Sequence, residues 1–189
     1  MERTFLEIKH IDKKIKYDGS QLAPHWIYKT TGIMGDAAVA FCGPCNIPYD
    51  NMADLEDVLA RESIKADSML HFICELFGKD CFSAIGVQDA FVSEIQNALL
   101  KKGVNVVKQG DDLFIGKGKL SISIASVSTV SSLIHIGLNI ENKGTPVRTS
   151  ALKDLNIDPK EFAVEVLKRM EKEYSRMVLA SCKVRGRQF

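Results

Sequence analysis

From Lys119 onward the chain alternates: Leu120, Ile122 and Ile124 fall on one side of an extended strand, with Lys119, Ser121 and Ser123 on the other. A second apolar row, Ile134, Ile136, Leu138 and Ile140, alternates with His135, Gly137 and Asn139. A loop centred on Thr129 would set Lys119 opposite Asn139, Ser121 opposite Gly137 and Ser123 opposite His135. A two-residue turn at Lys117-Gly118 would add Asp112 opposite Ser123 on the same face. Residues 110–139 thus read as three consecutive strands with one polar face. Its small residues leave room for a ligand beside a lysine, an asparagine and a histidine.

The same periodicities outline the rest of the chain. Residues 3–9 and 13–17 read as an opening hairpin, and Pro24 suits the first turn of a short helix ending at Gly32 or Gly35. Asp36 to Cys42 is nearly all apolar, which predicts a central strand. Asp50 to Ala60 predicts a helix with Leu55, Val58 and Leu59 on one stripe. Ser68 to Phe77 alternates and reads as a strand. Phe91, Ile95, Ala98 and Leu99 give a helix over 88–102 that stops at Gly103. Asn105 to Lys108 reads as a short strand. Phe162, Val166, Met170 and Tyr174 give a closing helix over 159–176, capped by Asp158. The pattern predicts an α+β class with a mixed or antiparallel sheet backed by helices, in a single domain over 1–189. An N-terminal hairpin and short helix occupy 1–35, the core 36–172 and a basic tail 177–189.

Charge and composition narrow the partners. Lys plus Arg number 25 against 24 Asp plus Glu, a net charge of +1, which argues against general nucleic-acid binding through a basic field. The start lacks the cationic and apolar regions of a signal peptide, and no apolar run approaches the roughly 20 residues of a membrane helix. These features predict a cytoplasmic protein with no membrane partner. Its five cysteines are an odd number, with reduced thiols as the default.

Cys42-Gly43-Pro44-Cys45 has the spacing of a dithiol that exchanges disulfides at a helix start. The residues after it, Asn46 to Asp50, do not continue into an amphipathic helix, so a turn after a strand with two incidental thiols is the plainer reading. A zinc site from this pair plus His71 and Cys74 meets a similar objection: in a strand, residues three apart face opposite sides. No metal site is therefore assigned. Asp18, Ser20, His25 and Trp26 concentrate polar and aromatic groups; they are ligand-binding candidates, or else a turn and a core tryptophan.

The order Gly110-Asp111-Asp112, Lys119, then Gly137-Leu138-Asn139 resembles the central half of biotin and lipoate protein ligases. There an Asn-Asp pair, a hairpin lysine and a Gly-Ile-Asn-Val type strand occupy the corresponding places. Thr149-Ser150-Ala151-Leu152 and the final helix extend the likeness, which covers about 68–172. The motifs YDGSQLAPHW, GDDLF, KLSISIA and SSLIHIGLNI resemble an uncharacterised, mainly archaeal family, domain of unknown function 366. The resemblance implies the ligase-like, class II aminoacyl-tRNA synthetase-like fold. Between the two strands of residues 36–42 and 68–77 the ligases carry a glycine- and arginine-rich loop that holds triphosphate and acyl-adenylate. This chain has NMADLEDVLARESIKAD, with Arg61 and Lys65 amid acids and no glycine, so phosphate cradling is not expected.

The leading expectation is a small-molecule-binding protein or enzyme of that superfamily, its cofactor and ligand unspecified. Lys119 would hold a ligand oxygen as a point charge, and His135 would serve as acid or base. Asp111, Asp112 and Asn139 would orient polar groups, while Ser121 and Ser123 allow close approach. The alternatives are a non-enzymatic homodimeric interaction domain and a Cys42/Cys45 redox protein.

Overall fold

The computed structural model describes residues 4–60, 64–143 and 148–186. Its elements run β1 (Glu7–His10), α1 (Trp26–Thr31), β2 (Ala37–Ile47), α2 (Leu55–Ala60), β3 (Ile64–Phe77), α3 (Cys81–Lys101), β4 (Val107–Gln109), β5 (Asp112–Ile115), β6 (Gly118–Lys119), β7 (Ser121–Val127), β8 (Ser131–Asn139) and α4 (Pro159–Cys182). One sheet has the order β1-β2-β3-β8-β7, parallel between β1 and β2 and antiparallel elsewhere. A small antiparallel sheet, β4-β5-β6, stands beside it. The class is α+β, an open mixed sheet backed by helices.

Alternation decides which face each side chain serves. Leu70, Phe72, Cys74 and Leu76 of β3 and Ile134, Ile136 and Leu138 of β8 point toward α3 and α4. Phe91, Ile95 and Leu99 of α3 and Phe162, Val166 and Met170 of α4 meet them there. Asp80 caps α3 by accepting from Ser83 N at 2.7 Å, so the helix begins before the periodic stretch. Asp158 caps α4 the same way from Glu161 N at 2.8 Å. Asp36, just before β2, accepts from Phe77 N at 2.7 Å and from the Tyr174 hydroxyl, tying α4 to the strands it covers. On the opposite face Tyr17, Ile27, Val39, Phe41, Met69 and Ile73 form a second buried cluster. Among the described residues no helix is long and apolar enough to cross a membrane.

Several expectations are corrected. Residues 13–17 form no hairpin with β1, which lies parallel to β2; residue 3 lies outside the described residues. Instead the segment crosses over β2, where Ile15 N donates to Cys42 O at 3.1 Å and Tyr17 N to Pro44 O at 2.9 Å. Gly43 permits the crossing, because a Cβ there would stand 1.8 Å from the Ile15 carbonyl oxygen. Cys42 to Cys45 is accordingly part of β2, not a turn after it. The predicted apolar stripe of α2 is exposed, Leu55 at 74% and Leu59 at 83%. The first residues assigned to the C-terminal tail, 177–182, continue α4, and residues 187–189 lie outside the described residues.

Two register details shape the second face. Between the pairs Gly43–Met69 and Cys45–Ala66, β2 advances two residues while β3 advances three, so β3 carries one extra residue. Pro44, which has no N–H to give, stands in this irregularity. Ala66 and Met69 consequently face the same side. In the β7–β8 hairpin, Ser121 pairs with Leu138, Ile122 with Gly137 and Ile124 with His135, one residue away from the predicted pairing. The Ser128 hydroxyl receives Ser131 N at 3.0 Å and donates to Ser131 O at 2.9 Å, closing a loop one residue longer than one centred on Thr129. That single step turns the Ser121 and Ser123 row to the helix side, and Ile122 joins the second cluster.

Candidate functional site

A cavity of about 400 Å³ opens where the second face of the main sheet meets the small sheet. Ile47, Ile64, Met69 and Ile122 supply an apolar wall, and Tyr17 and His135 line it as well. Lys119, Asp111, Asp112, Ser121, Ser123 and Asn139, all expected from the sequence, also line it. Their arrangement differs from the predicted one. The β5–β6 turn falls at Gly116-Lys117, because Ile115 pairs with Gly118, which places Lys119 beside Phe114 in the small sheet. Asp112 does not face Ser123; it meets the lysine directly, Lys119 Nζ to Asp112 Oδ2 at 2.7 Å. Burial raises the Asp112 carboxyl above its ordinary pKa, against the opposing pull of Lys119. Asn139 Nδ2 donates to Lys119 O at 3.2 Å, so these two residues are neighbours without being strand partners.

The serines face the other way and are already engaged. Ser121 Oγ accepts from Leu113 N at 2.8 Å. Ser123 Oγ accepts from Gln88 Nε2 at 2.6 Å and donates to Asp111 Oδ2 at 2.8 Å, and Gln88 also reaches Asp111. They join α3, β7 and the small sheet at the edge of the cavity.

Asp18, Ser20, His25 and Trp26 do not line the cavity. Asp18 Oδ1 accepts from Ser20 N at 3.2 Å and from Ser20 Oγ at 2.6 Å, forming a turn. His25 N donates to the buried Glu75 at 2.7 Å, and its ring lies over Phe77. Trp26 leans on Phe41 in the second cluster.

Sequence reasoning missed two neighbours of His135, which are His71 and Tyr17. His71 and His135, 0% and 1% exposed, meet through His71 Nδ1 and His135 Nε2 at 3.0 Å, and His71 Nε2 reaches the Gly43 carbonyl at 3.3 Å. Tyr17 stacks on His135 with ring centroids 3.7 Å apart. Burial lowers the His71 pKa to about 4 and holds His135 well below its ordinary value, with its charged form further opposed by His71. The recoverable signal was two histidines on the same side of two apolar strands.

The two remaining readings fare differently. Cys42 lies toward the helix face and Cys45 in the second cluster. Burial raises the Cys42 pKa and pushes the Cys45 thiol up to about 12. Burial outweighs the neighbouring charges: Lys14 pulls the Cys42 thiol down and Asp158 pushes it up, and the net effect at both cysteines disfavours the thiolate that dithiol exchange uses. His71 and Cys74 fall on opposite faces, as alternation predicts.

Residues 6–185 match the family model described as domain of unknown function (DUF366). The chain belongs to this family. A DUF366 relative in sequence is uncharacterized protein MJ0805 of Methanocaldococcus jannaschii, 28% identical over 179 residues, covering 89% of this chain and 81% of that protein. A protein of unknown function from Pyrococcus horikoshi is 40% identical, with a TM-score of 0.94 over 97% of this chain and all of that one. A mutant biotin protein ligase of Aquifex aeolicus in complex with biotin has a TM-score of 0.60 at 16% identity, covering 92% of this chain and 72% of that one. Protein Ta0514 of T. acidophilum, with bound lipoic acid, has a TM-score of 0.56 at 11% identity, covering 93% and 95%. The DUF366 chain therefore has the biotin/lipoate ligase-like fold.

Proposed function

We propose that this DUF366 protein binds a small molecule in the cavity between the two sheets, through an apolar body and a polar group received by Lys119. The observation that carries this reading is the half-buried Lys119–Asp112 pair set beside an apolar wall, in a volume of about 400 Å³. Cavities of about 300 to 1,000 Å³ that combine apolar lining with a few fixed polar groups suit ligands of this kind. The bound molecules of the structural neighbours, biotin and lipoic acid, are of comparable character.

The ligand is not a triphosphate. The segment that stands in place of the ligases' cationic loop brings Asp54, Glu56 and Asp57 to the cavity; Lys65 lines it at the start of β3, and Arg61 lies outside the described residues. With Asp111 and Asp112, the described lining holds five carboxylates and two lysines, a poor field for polyphosphate.

Thermal unfolding with biotin, lipoate, octanoate, amino acids and adenine nucleotides tests the reading. A ligand present at 100 times its Kd adds about 2.7 kcal/mol, a rise in Tm of roughly 5 to 10 °C for a chain of this size. We expect such a rise with an apolar ligand, reduced in Lys119→Ala, and none with ATP. No response to any compound, or responses indifferent to Lys119, would overturn it.

A further inference from the structure

The hydrogen-bond chain behind the cavity fixes what its floor offers a ligand. The Gly43 carbonyl can only accept, so the His71 Nε2 that meets it carries that ring's proton. Both histidines are buried and neutral at neutral pH, which leaves His71 Nδ1 as an acceptor. His135 Nε2, 3.0 Å away, is then the donor. The other nitrogen of His135, Nδ1, is left with a bare lone pair. His135 lines the cavity while 1% exposed; among the described residues nothing hydrogen-bonds Nδ1, yet it is not sealed from solvent.

Asn139 gives the same sign independently. One N–H of its Nδ2 goes to the Lys119 carbonyl, which orients the amide and leaves Oδ1 as an acceptor without a partner among the described residues. Asn139 is 5% exposed, projects from the same face of β8 as His135 and lines the same cavity. An acceptor drawn out of bulk water and left unpaired is costly, and a ligand donor recovers that cost.

We propose that the cavity selects ligands that carry N–H donors, amides or amines, over carboxylates, through Nδ1 of His135 and Oδ1 of Asn139. His71 is a positioning residue that sets the tautomer of His135 from the Gly43 carbonyl. An amide suits the whole site, because its N–H groups meet the acceptors while its carbonyl oxygen meets Lys119. The carboxylates at the rim favour neutral or cationic ligands in the same sense.

This inference rests on the small-molecule reading above, and its test separates the two. Isothermal titration would compare octanamide and octylamine, which donate, with N,N-dimethyloctanamide and octanoate, which do not. The donors should bind at least tenfold more tightly. Equal or tighter binding of octanoate or the dimethyl amide overturns donor selection and leaves the binding cavity standing; no binding by any of the four overturns both. Nitrogen-15 spectra of histidine-labelled protein give a readout that needs neither variant nor ligand. His135 and His71 should both appear as the Nε2–H tautomer with unprotonated Nδ1, and octanamide should move the Nδ1 resonance of His135. A Nδ1–H tautomer at His135, or a resonance unmoved by saturating octanamide, overturns the inference.

Discussion

His71 shows how burial turns a single residue into a stability determinant. Its pKa is about 4 in the folded chain against 6.5 ordinarily, because desolvation disfavours the imidazolium. Between those values the unfolded chain binds the proton and the folded chain does not, so stability is complete above about pH 6.5 and falls as pH drops toward 4. His71 alone then costs about 3 kcal/mol by pH 4, and His135, also lowered, acts in the same direction. Ordinary carboxylates titrate near or below the acid end of this window. Urea midpoints at pH 7, 5.5 and 4.5 should fall progressively; an unchanged midpoint would refute the neutral buried pair. Lys119, His135 and Asn139 were legible in the sequence because each interrupts an apolar alternation within one short stretch. Tyr17 was not, since it comes from a segment distant in the chain, and His71 left only the signal of a second histidine on the same side of an apolar strand.

At the scale of elements, periodicity located α3, α4 and the main strands because their apolar positions are buried by tertiary packing. It overreached for α2, whose Leu55 and Leu59 have helical spacing without a surface to cover. Leu55→Ser and Leu59→Ser should each leave stability within about 0.5 kcal/mol of the wild type, whereas Leu99→Ala in α3 should cost about 2 to 5 kcal/mol, both read from urea unfolding. The strands of residues 110–139 were found correctly and paired wrongly by one residue. Side-chain alternation locates a strand, but the Ser128 and Ser131 hydrogen bonds decide its register, and they do so against the simplest polar-to-polar match. The cleft residues survived that error because the cavity lies at the junction of two sheets, where both faces of β7 reach its edge.

Across the whole molecule, the sheet separates two buried clusters, one under α3 and α4 and one under the N-terminal segment. Asp36 helps hold the first together, bonding β3 through Phe77 N and α4 through Tyr174. Asp36→Ala should cost about 2 to 4 kcal/mol, and the double variant with Tyr174→Phe should cost less than the two single changes added, because both remove one hydrogen bond. Strict additivity in urea unfolding would show that the contact carries no coupling. The α+β class was legible from the order of elements. The covering of the second face was not, because the crossing of residues 13–17 depends on a close approach at Gly43 that carries no periodic signal. The extra residue in β3 reaches further than its own strand. Beyond it the alternation is inverted, so a chain one codon shorter between Ala66 and Met69 would turn Ile64 and Ala66 away from the second cluster and toward the helices. One wall of the cavity would lose part of its aliphatic lining without a single amino-acid replacement. Length polymorphism at this point is therefore a route by which relatives of this chain can change what they hold.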